Sequence, residues 1–206
     1  MKLSLLHCYS DFNKGDLGII LATIESFKKV YPEVEVNAVS TYNYNDNQYH
    51  NDHLILRDYL DNLLPSIFGL LFIKVGNKKF TNTGAKIIKF IFEYIRLMPL
   101  LILPKSKHLI NFFLNDHELS TFKVLQNSEI VISKGGSFIC NEKNIRSKIA
   151  YFRLMYIFRL LKKYDIKYYI FGQSLGPIYG RKSINILNEV LMGSKATYLR
   201  EDECLK

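Results

Sequence analysis

Four short apolar runs, each giving way to a polar turn, set the pattern of this chain. Residues 3–6, 34–39, 130–132 and 168–171 are dense in Leu, Val, Ile, Tyr and Phe, and their length suits strands buried on both faces. The first leads to Asn13-Lys14-Gly15-Asp16 and the second to an Asn-, Tyr- and His-rich stretch over 41–53. The third leads to Gly135-Gly136-Ser137 and the fourth to Gly172-Gln173-Ser174-Leu175-Gly176-Pro177.

Between the runs the apolar spacing changes to three and four. Leu17, Ile20, Leu21, Ile24, Phe27 and Tyr31 share one helical face, Glu25, Lys28 and Lys29 face outward, and Pro32 stops the helix. Residues 1–40 therefore predict a right-handed βαβ unit with parallel strands. Helical spacing recurs over 54–64, 85–98 and 116–125, punctuated by Pro65, Gly69, Gly76, Pro99 and Pro104, and predicts a helical insertion over about 54–127. Further on, a helix is expected over 146–163, with Arg153, Arg159, Lys162 and Lys163 on its polar side. A strand over 167–171, a helix over 183–192 and a last strand over 197–199 follow, ending at Arg200-Glu201. The expected fold is a single α/β domain over 1–206, a Rossmann-like parallel sheet with helices on both faces. Parallel strands would gather all four turns on one rim, the carboxyl edge where open α/β sheets bind ligands.

A 206-residue chain with 48% hydrophobic and 23% charged residues can bury a full core, which excludes a disordered tract. Cys8, Cys140 and Cys204 are odd in number and far apart and no signal peptide precedes them, so a disulfide framework or zinc site is not expected and a reducing cytoplasm is the default. The net charge of +9 favours anionic partners of any kind. Residues 85–103 are strongly apolar, but Lys89, Glu93, Arg96 and Pro99 interrupt them, which argues for a buried or interfacial helix rather than a spanning one.

Asn13-Lys14-Gly15-Asp16 opens a helix, where unpaired amides and the positive end of the dipole suit a phosphate or carboxylate; capping by Asn13 and Asp16 alone explains the same residues equally well. Gly135, Gly136 and Ser137 offer amides and a hydroxyl, though a tight turn needs only the glycines. In the loop from Gly172 to Gly176, Gln173 carries both donor and acceptor groups. The sequence holds no Walker loop and no dinucleotide fingerprint. His7, His50, His53, His108 and His117 lack paired metal-ligand spacing and are expected to be packed or solvated.

Taken in order, Asn13-Lys14-Gly15-Asp16, the run from Glu129 through Lys134-Gly135-Gly136-Ser137, Gly172-Gln173-Ser174-Leu175-Gly176-Pro177 and Leu199-Arg200-Glu201 resemble the motifs of the polysaccharide pyruvyl transferase family. Arg200-Glu201 stands where Arg-Asp is usual and Cys204 where Ser is common. The resemblance implies the amino-terminal half of a GT-B-like architecture whose second domain carries much of the donor site. It further implies transfer of the enolpyruvyl unit of phosphoenolpyruvate to a glycan hydroxyl or lipid-linked saccharide, giving a pyruvate ketal. No cofactor is implied. Asn13, Gly15, Asp16, Gly135, Gly136, Ser137, Gly172, Gln173, Gly176 and Arg200 are carried over as substrate-binding positions, with no catalytic residue assigned. The setting expected is cytoplasmic, with peripheral association at the inner membrane surface compatible with the charge. A glycosyltransferase on the same architecture stays open as an alternative, as does a non-catalytic domain binding anionic glycan, membrane or nucleic acid. Nucleic acid is the least expected of these, because the basic residues are scattered and no nucleic-acid motif accompanies them.

Overall fold

The computed structural model describes residues 1–69 and 83–200. Strand β1 (Lys2–Cys8), helix α1 (Lys14–Val30) and strand β2 (Glu35–Ser40) form the first βαβ unit. Two short helices, α2 (Asn47–Asn51) and α3 (Leu54–Arg57), lead to strand β3 (Asn62–Leu64). Helices α4 (Thr83–Leu97), α5 (Pro99–Ile102), α6 (Lys107–Phe113) and α7 (Asp116–Asn127) precede strands β4 (Ile130–Ser133) and β5 (Gly136–Ile139). Helix α8 (Ile145–Lys163), strand β6 (Tyr168–Leu175), helix α9 (Arg181–Gly193) and strand β7 (Ala196–Leu199) follow.

Every strand pairing is parallel. Tyr169 and Ile170 pair with β4 and also with β7, so those two strands flank β6 on opposite sides. Gln173 likewise lies between Gly136 of β5 and Leu199 of β7. Strands β4 and β5 therefore share one side of β6. Val131 pairs with Tyr168 and Gly136 with Gln173, a constant offset of 37 residues, which makes β4 and β5 one strand interrupted at Lys134-Gly135. With that pair counted once, the order runs β3-β2-β1-β4/β5-β6-β7, a Rossmann-like succession whose direction of winding reverses between β1 and β4.

Strand alternation divides the core. Leu3, Leu5, Val36, Ala38 and Ile132 face α1 and α3, meeting Leu17, Ile20, Ile24 and Leu56. Leu6, Val39, Val131, Tyr168 and Ile170 face the other way onto Leu154, Met155 and Phe158 of α8 and Val190 of α9. Each fully buried aliphatic side chain of this kind contributes roughly 2 kcal/mol. A third cluster, with Phe68, Leu97, Leu100, Ile110 and Phe122, packs on Tyr156 and Leu160 at the outer side of α8.

The parallel α/β fold and its helices on both faces agree with the sequence reading; four local expectations do not. Residues 54–64 are not one helix: α3 ends at Arg57 and residues 62–64 add a strand, because Asn37-Ala38-Val39 offers its ladder to Asn62-Leu63-Leu64. The 41–53 stretch contains the short helix α2. Gly136 and Ser137 belong to β5, and Gly172 and Gln173 continue β6, so both expected turns are partly sheet. Arg153 is not on a solvated face but fully buried, since α8 is covered by the sheet on one side and by the inserted helices on the other. Gly76, Glu201 and Cys204 lie outside the described residues.

Candidate functional site

The strand order reverses between β1 and β4, the position at whose carboxyl edge open α/β sheets bind ligands, and three segments meet there. At the end of β1, His7 adopts φ 62°, a left-handed conformation costly for a non-glycine residue, where the β1–β2 register slips between Leu5 and Cys8. Its ring is buried, and Nε2 lies 3.2 Å from the Leu154 carbonyl oxygen. A carbonyl only accepts, so Nε2 carries the hydrogen and Nδ1 accepts from Ser133 Oγ at 3.3 Å. Burial, opposed in part by the Leu154 bond and aided by the charge of Lys134, lowers the imidazole pKa to about 3, so His7 is neutral.

Lys134, in the interruption between β4 and β5, has a side chain only 1% exposed. Its ammonium donates to Asp16 Oδ1 at 2.5 Å and lies 5.1 Å and 4.9 Å from the ring centres of Tyr9 and Phe138. Asn13 is the N-cap of α1: its Oδ1 accepts from the Asp16 amide at 3.3 Å, while its Nδ2 donates to Asp16 Oδ2 at 2.7 Å. Asp16 thus receives Lys134 on one oxygen and Asn13 on the other. A lone carboxylate in this first turn would offset the positive end of the helix dipole, and Lys134 neutralises it from below.

Close approach requires the first of the paired glycines and backbone conformation the second. A Cβ on Gly135 would sit 3.1 Å from the Gly172 carbonyl oxygen and 3.3 Å from that of Phe171. Gly136, at φ 139°, would place one 3.4 Å from Lys134 Nζ and 3.5 Å from Asp16 Oδ1. Gln173 is fully buried, and its Nε2 donates to the carbonyl oxygens of Gly136 at 2.7 Å and Ser174 at 3.2 Å. Facing two acceptors fixes the amide orientation, which leaves Oε1 a buried acceptor with no partner.

Six of the ten residues expected at the site, Asn13, Asp16, Gly135, Gly136, Gly172 and Gln173, thus form one connected group. Arg200 joins through its backbone, its amide donating to the Gln173 carbonyl at 3.1 Å, and its side chain is exposed. Gly15 and Ser137 are exposed on the same rim. Gly176, at φ 91° before a cis bond to Pro177, is set further along, its amide bonded to Ile139. The Asn-rich stretch is tied to the first loop by the Asp11 amide, which donates to the Asp52 carbonyl at 2.7 Å, and Asp11 Oδ2 accepts from the amides of Ile55 and Leu56 in α3. Lys134, Gly135, Gly136 and Gln173 are therefore the buried members of this group, and Asn13, Gly15, Ser137 and Arg200 the exposed ones.

Sequence reasoning missed Lys134, Tyr9 and His7. Lys134 stood inside a quoted motif, and a lysine directly between a buried strand and two glycines was the available signal; for His7 and Tyr9 no spacing gave one. Among the described residues no cluster of His, Cys, Asp and Glu could hold a metal ion.

No curated protein and no solved structure matches this chain. A family model described as Polysaccharide pyruvyl transferase matches residues 13–203, beginning at the N-cap of α1 and passing through the interrupted strand, the Gly172-Gln173 segment and Arg200. The match takes in every one of these positions from Asn13 to Arg200, though not His7 or Tyr9, and the chain belongs to the polysaccharide pyruvyl transferase family.

Proposed function

We propose that this chain takes part in pyruvyl transfer from phosphoenolpyruvate to a glycan or a lipid-linked saccharide, with the carboxyl edge between β1 and β4 holding the donor's anionic end. The observation that carries this reading is the Lys134–Asp16 pair beneath the α1 N-terminus. It keeps the first-turn amides electropositive although a carboxylate is present among them, as recognition of a phosphate or carboxylate requires. Lys134, being buried, acts as a positioning residue; the groups offered to a ligand are Asn13, the Gly15 backbone, Ser137 and Arg200.

In the reaction two acceptor hydroxyl oxygens bond to C2 of the enolpyruvyl unit and the C2–O bond to phosphate breaks. One hydroxyl proton is balanced by protonation of the methylene carbon to methyl, the other leaves with inorganic phosphate. Cationic and N–H groups at the rim stabilise the departing phosphate.

The full-length gene product, incubated with phosphoenolpyruvate and candidate glycan acceptors, is expected to release phosphate and give a new ketal methyl singlet by proton NMR. A raised melting temperature with a nucleotide sugar and none with phosphoenolpyruvate would instead favour a glycosyltransferase.

A further inference from the structure

Helix α4 is apolar on the side that faces away from the protein as well as on the side that packs, where Leu97 is buried and Phe90 stacks on Phe68. Its charged residues Lys89, Glu93 and Arg96 face the body of the protein: Lys89 pairs with Asp46 at 3.6 Å, Glu93 with Arg153 at 2.6 Å, and Arg96 with Glu118 at 2.6 Å. Arg153 also donates to the Gly69 carbonyl and stacks on Phe68, so the anchor is built into the core. The opposite stripe, Ile88, Ile91, Phe92 and Ile95 at three- and four-residue spacing, is held in solvent, with Phe92 69% and Ile95 64% exposed. On the short helices that follow, Ile102 is 71% and Phe112 80% exposed. Eight of the twenty large hydrophobic residues exposed among the described residues fall within 83–113. Scattered exposed apolar residues need no explanation; a concentrated and rigidly oriented set does.

Charge selects the occupant. Residues 83–113 contain Lys86, Lys89, Arg96, Lys105 and Lys107 against the single acid Glu93; Glu93 pairs with Arg153, while Lys89, Arg96 and Lys105 pair with Asp46, Glu118 and Asp165, and positive charge stays in excess once these partners are counted. Lys163 adds a further cation beside the exposed Leu103, whose carbonyl it bonds. A second copy of the chain would bring the same positive face and be repelled. An anionic bilayer surface supplies both an apolar layer for the stripe and negative headgroups for the lysines. Among the described residues no helix is long and apolar enough to cross a membrane, so the contact is one of lying on the surface. We propose that α4, with the exposed residues of α5 and α6, is a docking face for an anionic phospholipid surface. This assignment is independent of the donor and acceptor assigned above.

The test is flotation of the full chain with vesicles of phosphatidylcholine alone and of phosphatidylcholine mixed with phosphatidylglycerol. Binding to the anionic vesicles is expected, with little to the neutral ones. Replacing Ile88, Phe92 and Ile95 together by Gln should weaken it on the order of a hundredfold while leaving the thermal unfolding curve in place, since all three are solvent-exposed. Lys107→Glu, at an exposed position, should weaken it about tenfold. Wild-type protein that stays unbound with both vesicles overturns the proposal. So does binding that the triple variant leaves unchanged, or a concentration-dependent dimer that Phe92→Gln dissolves with no vesicle binding by either protein.

Discussion

Lys134 and Asp16, 118 residues apart in sequence, meet at 2.5 Å where the first helix begins and the interrupted strand pauses. The two partners are not equally buried: the lysine side chain is 1% exposed and the aspartate 20%. Removing the anion strands a cation that water cannot reach; removing the cation strands an anion that water can.

Asp16→Asn is therefore expected to cost about 3–5 kcal/mol, and Lys134→Met about 1–2 kcal/mol. The double variant should recover part of the loss, because neither charge is then left alone. Urea unfolding of the three variants and wild type forms a double-mutant cycle, and simple additivity of the two single losses would show that the pair does not couple.

The glycines separate by the same reasoning. Gly135→Ala presses a methyl against two backbone carbonyls, and Gly136→Ala requires positive φ beside Lys134, so each should lose about 1–3 kcal/mol. Gly15→Ala meets nothing nearer than Asn13 Oδ1 at 3.6 Å and should stay within about 0.5 kcal/mol of wild type. Denaturant midpoints measure the contrast. Equal losses at positions 15 and 136 would remove the steric argument.

Stability should depend on acid through His7. Its pKa is about 3 when folded against an ordinary 6.5, so between those values the unfolded chain binds the extra proton and stability falls as pH falls. Above about pH 6.5 this contribution is fully present. His53, lowered to about 4 by burial and by Arg57, adds in the same direction. Melting temperatures measured from pH 7 to pH 4 should decline, and His7→Asn, which tolerates the left-handed backbone, should decline less steeply. An unchanged slope in that variant would mean that His7 is not the group responsible.

How much was legible beforehand follows from what kind of signal each feature leaves. Residues 3–6, 130–132 and 168–171 announced strands because both faces are covered, and α1 announced itself through Leu17, Ile20 and Ile24. The third strand stayed hidden because Asn62-Leu63-Leu64 has no pattern of its own and borrows its conformation from β2. Arg153 looked like a surface cation because its partner, Glu93, lies 60 residues away on a helix whose docking no local spacing encodes. At the site, the glycine positions were visible through composition. Lys134 was not, since lysine is rarely buried and only the folded position of Asp16 explains why it is. The gathering of Asn13, Gly136, Gln173 and Arg200 on one rim followed from parallel direction alone.

The 37-residue offset that β4 keeps with β6 is met again at Gly136 and slips only beyond it, before Ile139, which turns the short gap at Lys134-Gly135 into a measuring stick. Because strand pairing fixes position residue by residue, shortening the gap by one would take Gly136 out of register with Gln173, whose amide donates to the Gly136 carbonyl. The exposed side chains along this edge can be exchanged, but the number of residues between Ser133 and Gly136 is locked to the sheet that continues on either side.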